Sequence, residues 1–334
     1  MENAKTTPGA KRKLFEKRTD AVKLFLPTLA FLFMRVMYEV LPNVSPSADY
    51  EPELYPAFLL YAAGVFFAIS LISIPIGPIR RRLVKYSYII AAFCLLIGVY
   101  DLLTTKSGII TVPLWPNPDK VLVYYTNHYK EFIQEIVVSL SMLGNGLLWG
   151  VVLGLFSGTL SGISRVSNYW IAPLLRIIGP IPPLVMLPVT FAIFPEGKMS
   201  ATVLIMWAMW FPLTLKLTAA IKNLPPDVIE CARVLGANRL RVVLHVIVPL
   251  VLPAVFQGLF MGMSSAFGTM GAVEALGTSG NGGLIYDLNY NSDLAKYYAV
   301  YAVFPILVVL FSLIMRILNA VRDYFLRWQK GYKR

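Results

Sequence analysis

Eight apolar stretches, separated by short polar connections, set the pattern of the chain: 22–41, 56–78, 84–104, 136–160, 171–195, 199–221, 248–272 and 297–320. At 1.5 Å per residue, each is long enough to cross about 30 Å of hydrocarbon as a helix. Lipid offers backbone groups no partner, so a multi-spanning chain must satisfy them within helices or a closed barrel. The long unbroken runs predict helices. The first run is the least regular, because Arg35 and Glu39 interrupt it. Their i, i+4 spacing predicts a pair on one helix face. The fifth holds Pro173, Pro180, Pro182, Pro183 and Pro188, which predicts a broken helix. The expected fold is therefore all-α, with about eight transmembrane helices.

Composition agrees. Of 334 residues, 57% are hydrophobic and 14% charged, against about 25% charged in a soluble domain. The net charge of +12 would suit a nucleic-acid binder, but its distribution does not. With the N-terminus inside and the segments alternating, only Lys106, Lys120, Lys130, Lys198 and Lys296 fall outside, and Arg35 lies within a segment. The remainder of the 30 Lys and Arg residues are internal. That asymmetry sets topology. It places both termini in the cytoplasm and leaves basic clusters to contact anionic lipid. Residues 1–21 read as a cytosolic tail and 326–334 as a second, basic one. A secretory signal is disfavoured by the length of the first apolar run. Cys94 and Cys231 form no metal or disulfide pattern. No glycine-rich stretch ends in Gly-Lys-Ser/Thr, so the chain shows no means of hydrolysing ATP.

The polar stretch Glu230 to Pro253, between two apolar segments, is the most distinctive. Asp227 sits where an N-cap acceptor would precede a short helix over 228–235. Gly236 suits a left-handed C-cap. A second basic helix carries Arg239, Arg241 and His245, and Pro249 and Pro253 mark the return to apolar sequence. Glu230-Cys231-Ala232, three residues, Gly236, nine residues and Val246-Ile247-Val248-Pro249 resemble the EAA loop of ABC importer permeases, with Cys231, Val246 and Val248 departing mildly from its pattern. The resemblance implies a coupling helix that docks on an ATP-hydrolysing subunit through Glu230, Cys231, Ala232, Gly236, Ala237 and Arg239. It also implies a non-catalytic permease acting as a homodimer in the bacterial inner membrane. Two ATPase copies would bind ATP and Mg, and an external binding protein would deliver solute.

Further stretches resemble the nitrate, sulfonate and taurine group of that family. They are the Pro116-Asn117-Pro118 lead-in, Pro180-Ile181-Pro182-Pro183-Leu184, and Glu274 with the glycine-rich 280–284. They imply a small anion or a vitamin-precursor-like molecule as substrate. The expected division is a tail (1–21), an extension of three helices (22–105), a permease core of five helices (106–325) with its coupling loop (223–247), and the basic tail. The extension departs from the group. Its first two helices are expected on the lipid-facing rim, so that deleting residues 1–82 would spare ATPase binding and substrate preference, with reduced stability or expression.

Gly146, Gly150, Gly154 and Gly158, like Gly258 and Gly262, form small-residue faces suited to close helix contact. Static packing is the plainer reading and a moving contact the alternative. A translocation path needs polar groups in the membrane. Asn145, Thr190, Thr214, Gln257, Ser264 and Ser265 are the candidates, with Ser139, Ser141 and Thr269 behind them. The competing class is an ion-gradient-driven secondary transporter. The chain shows no internal repeat, and its apolar runs hold carboxylates only at Glu39, Asp101 and Glu274, near segment ends.

Overall fold

The computed structural model describes residues 8–42, 54–110, 114–276 and 282–330, helical apart from short connections. They form two compact units. The first comprises residues up to 127 with 295–302, and the second comprises 128–294 with 303 onward. The division does not follow the expected boundary near 105. It falls inside a helix, at a kink where His128 leaves helical geometry (φ −114°, ψ 16°).

Among the described residues, six helices are long and apolar enough to cross a membrane, and a bent pair adds a seventh if counted as one span. This is fewer than the expected eight. The difference is α1 (Pro8–Val40), where Lys23, Arg35 and Glu39 interrupt the apolar half. The predicted Arg35–Glu39 pair does form, at 2.7 Å.

In the first unit, α1 packs against α2 (Leu54–Ser73) and α3 (Gly77–Asp101). Their shared core holds Ala30, Met34, Tyr38, Tyr55, Leu59, Ala91 and Cys94. Ser70 donates to the Leu24 carbonyl at 2.8 Å. A π-helical turn, Leu102–Lys106, continues α3 and buries Lys106, whose residue is only 7% exposed. The Lys106 ammonium donates to the carbonyls of Tyr38 (2.6 Å) and Leu41 (2.8 Å) and sits 3.8 Å from the centre of the Tyr38 ring. It therefore closes the C-terminal end of α1, where carbonyls lack helical partners and the helix dipole is negative. Asp119, at the start of α4 (Pro118–Ile163), accepts from the Tyr55 N–H at 2.7 Å and from the Tyr38 hydroxyl at 3.2 Å. That carboxylate caps α2. Lys106 was expected in an external loop; burial and these acceptors place it inside the fold. The segment 43–53, including Asp49, Glu51 and Glu53, lies outside the described residues.

The second unit is arranged around α7 (Gly197–Lys222). Ala201, Leu204, Ile205, Ala208, Met209 and Leu213 on this helix are almost wholly buried. Helix α4 meets α7 through a glycine row. A Cβ on Gly150 would lie 2.6 Å from that of Met209, and one on Gly158 would lie 3.0 Å from that of Leu217. Gly146 faces Ile205, Gly154 faces Leu213 and Gly162 faces Ile221 in the same way. Five glycines at four-residue spacing thus receive five large side chains at the same spacing, ridge into groove. The row is one member longer than the sequence suggested, because Gly162 closes it. On the opposite chain direction, Gly258 and Gly262 of α10 (Val248–Ala275) lie against Leu213 and Met209.

The proline-rich fifth segment is broken, as expected. Helix α5 (Arg165–Ile178) and the stretch Pro183–Ile193, which ends in α6 (Leu187–Ile193), are bent by 95°. After α7 come α8 (Pro226–Val234) and α9 (Arg239–Val242), and a π-turn, Val243–Ile247, leads from α9 into α10. Pro249 occupies the first turn of α10, where a missing N–H costs nothing, and Pro253 lies within that helix. Helices α11 (Leu284–Asp293) and α12 (Tyr297–Phe325) follow, then a short α13 (Arg327–Lys330).

Glu274, fully buried near the end of α10, accepts from the Ile285 N–H at 3.1 Å. Ser139 of α4 accepts from the Leu284 N–H at 3.2 Å. Two of the unsatisfied donors at the start of α11 are thus met by side chains from two other helices. Gly283 is needed there, since a Cβ would lie 2.6 Å from the Glu274 carboxyl carbon. Of the glycine-rich stretch near Glu274, residues 280 and 281 lie outside the described residues.

Candidate functional site

The connection from α7 to α10 mixes charged and apolar residues and is itself packed. Helix α8 begins at Pro226, with Pro225 as its N-cap. Asp227 therefore lies within the first turn and makes no cap hydrogen bond, which corrects its expected N-cap role. Its charge still favours the positive end of the helix. Gly236 takes φ +83°, a left-handed conformation that costs a residue with a Cβ about 1–2 kcal/mol. It lets the chain reverse after α8. Asn238 then caps α9, its Oδ1 accepting from the Arg241 N–H at 2.8 Å.

The loop has two different sides. The inner side is apolar and anchored: Ile229, Ala232 and Ala237 pack against Leu217 and Ile221 of α7, Val242 of α9, Ile247 and Val251. The outer side is left bare. Val234 and Leu235 are each 87% exposed, and Leu240 is 66% exposed. Beside them lies an open pocket of about 520 Å³ lined by Asp227, Glu230, Cys231, Val234 and Leu235. Two carboxylates, a thiol and two large aliphatic groups thus share one concave surface, the mixed composition of a protein-docking patch.

Of the residues predicted for coupling, Glu230 and Cys231 line this pocket, and Ala232 and Ala237 serve the inner packing instead. Gly236 makes the turn. The side chain of Arg239 lies outside the described residues. Val234 and Leu235 were missed as candidates. Their signal was present in the sequence, as two adjacent aliphatic residues just before a glycine at the end of a short polar helix.

The predicted path residues divide. Thr190 is buried, donating to the Leu187 carbonyl and accepting from Ser200 at 2.7 Å. Thr214 is buried, donating to the Trp210 carbonyl and lying 2.9 Å from Ser157 Oγ. Both are committed to neighbouring helices. Asn145, Gln257 and Ser264 are exposed, and Ser265 is half-buried. Ser264 donates to the Phe260 carbonyl at 3.1 Å. Ser139 belongs to the α11 cap and Thr269 bonds its own helix, to the Ser265 carbonyl.

Residues 150–327 match the family model described as binding-protein-dependent transport system inner membrane component. An ABC transporter permease protein of Methanocaldococcus jannaschii is 29% identical over 60% of this chain and 75% of its own length. A nitrate import permease of Leptolyngbya laminosa is 27% identical over 47% of this chain and 58% of its own. An aliphatic sulfonates transport permease of Bacillus subtilis is 24% identical over 68% and 82%. A solved inward-facing conformation of the MetNI methionine ABC transporter aligns over 58% of this chain and 95% of that one, with TM-score 0.50 and 20% identity, which speaks to fold alone.

Proposed function

Because the chain belongs to the family of binding-protein-dependent transport system inner membrane components, we propose that it works by docking an ATPase subunit on the outer face of the α8–α9 loop. The observation that carries this reading is the exposure of Val234 and Leu235 beside the pocket that Glu230 and Asp227 line. Aliphatic groups fill a complementary groove, and carboxylates add charge-assisted hydrogen bonds to a basic one. Gly236 fixes the angle between the two short helices.

In this reading the chain binds no nucleotide. ATP and Mg sit in the partner, two copies of which serve a permease homodimer, and both termini and the loop face the cytoplasm. An external binding protein hands over the solute. The relatives that transport nitrate, sulfonates and taurine support a small anion as substrate. Asn145, Gln257, Ser264 and Ser265 are the polar groups left to line the path, whereas Thr190 and Thr214 serve helix contacts. A secondary transporter would have no use for the docking face.

The test is a pair of variants in the reconstituted complex. Gly236→Val and Glu230→Ala leave membrane insertion intact and abolish transport-coupled ATP hydrolysis. Normal coupling in both would remove the docking reading.

A further inference from the structure

The inner side of the same loop leads into the membrane helices along a continuous line of contacts. Ile229, Ala232 and Ala237 pack against the buried cluster that Leu217 and Ile221 form with Val242, Ile247 and Val251. Leu217 and Ile221 in turn fill the spaces opposite Gly158 and Gly162 of α4. At the next position, Lys222, the contact changes from apolar to polar. The Lys222 ammonium donates to Oδ1 of Asn168 on α5. Ser161 of α4 donates to the same oxygen at 3.1 Å. Three helices thus meet at one amide oxygen. Lys222 is the last residue of α7, and the docking loop begins with the next.

Helix α5 is otherwise lightly held. Its N-terminus is closed locally, with Ser164 Oγ accepting from the Ser167 N–H at 3.2 Å. Leu175 is its one buried residue, while Val166, Tyr169, Trp170, Leu174 and Ile177 are exposed. Among the described side-chain hydrogen bonds, Asn168 is the residue through which α5 reaches another helix. A helix with little buried surface follows whatever holds it, and energetic coupling needs such a contiguous physical connection.

From these contacts we infer that Asn168 and Lys222 are positioning residues that carry displacement of the docking loop to the bent α5–α6 pair. The inference rests on the docking reading above. When the loop moves with a bound ATPase, Leu217 and Ile221 move α7 and α4 together, and the Lys222–Asn168 bond takes α5 with them. Cutting that bond uncouples α5 while leaving the apolar inner face of the loop, and hence docking, in place.

The experiment uses the full chain assembled with its ATPase in nanodiscs, compared without nucleotide and with ATP–vanadate. Amide hydrogen exchange is read over residues 166–176. The wild-type complex shows at least an about fivefold change in exchange rate between the two states, the lower end of typical coupling between sites. In Lys222→Met and Asn168→Ala the ATPase still co-purifies and the change falls below about twofold, whereas Lys222→Arg, which keeps a donor, restores it. A purely structural role would alter exchange equally in both states. If the variants keep the wild-type response with the ATPase bound, the transmission role is wrong and the docking reading stands. Loss of the ATPase from the variants would also overturn it, since the bond would then be serving the docking surface. Failure of the wild-type chain to bind the ATPase would remove both readings.

Discussion

Where α1 ends, the joints are made by charges; between α4 and α7 they are made by glycines. Lys106 closes one helix and Asp119 caps another, with Tyr38 between them. Neither contact depends on a smooth surface, but each buries an ion. Within the glycine row between α4 and α7 neither the glycines nor the residues facing them are charged, and the helices close because Gly146, Gly150, Gly154, Gly158 and Gly162 leave room for the side chains opposite. Lipid supplies no hydrophobic force to bring helices together. The two regions meet that lack in different ways: a few strong and specific contacts, or many weak ones in register. The first kind fails abruptly when one group is removed. The second fails when something is added.

The largest effect should come from the first region. Lys106→Met leaves the Asp119 carboxylate and the α1 carbonyls without their cation, and losing one member of a buried charged set costs about 3–5 kcal/mol. Thermal unfolding in detergent should show a loss of that order, accompanied by poor yield. A wild-type melting point would mean that the ammonium carries no weight. Deleting residues 1–82, expected from the sequence to spare ATPase binding at reduced stability or expression, removes Tyr38 and Tyr55 from the same cluster. It should therefore destabilise at least as much as the point variant.

A smaller effect, of opposite origin, belongs to the glycine row. Gly150→Leu overfills the contact with Met209 and should cost about 1–3 kcal/mol, the usual penalty of an overpacked core. Gly144 lies on the same helix with nothing within 4 Å of its would-be Cβ. Gly144→Ala should be neutral or stabilising by up to about 1 kcal/mol, through helix propensity. Equal losses at 144 and 150 would show that the row is not a packing device.

The smallest effect tests whether polar contacts between α4 and α7 matter beside the glycines. Trp210 Nε1 donates to Ser157 Oγ at 2.9 Å, and Ser157 also meets Thr214. Ser157→Ala should cost about 0.6 kcal/mol, the average for an interhelical hydrogen bond in lipid. A loss comparable with that of Gly150→Leu would move the joint from shape to hydrogen bonding.

What the sequence revealed and what it hid follow the range of the interactions. The helices, the break at Pro180 to Pro183, the Arg35–Glu39 pair and the Gly236 turn are local, and composition or spacing reports them. The joint among Tyr38, Tyr55, Lys106 and Asp119 links residues up to 81 positions apart, and no local pattern announces it. Lys106 in particular reads as a loop charge until α1 is folded beside it. Thr190 and Thr214 have the chemistry of a path, and only packing shows that their hydroxyls are already engaged. The glycine row was visible, but its partner residues on α7 were not, because an apolar helix offers no sign of which face meets a glycine.

The row of five also fixes what kind of motion the molecule can use. A knob every fourth residue makes α4 and α7 behave as a key in a slot. To slide and re-engage, one helix must advance by a whole notch, about 6 Å at 1.5 Å per residue, and every knob must leave its seat at once. Rotation about the helix axis is blocked for the same reason, since it drives Met209 and Leu217 into backbone. Spin labels on the outer faces of the two helices should accordingly keep a constant separation through ATP binding and release. The pair is a single lever, and any rearrangement that opens a path takes place around it rather than within it.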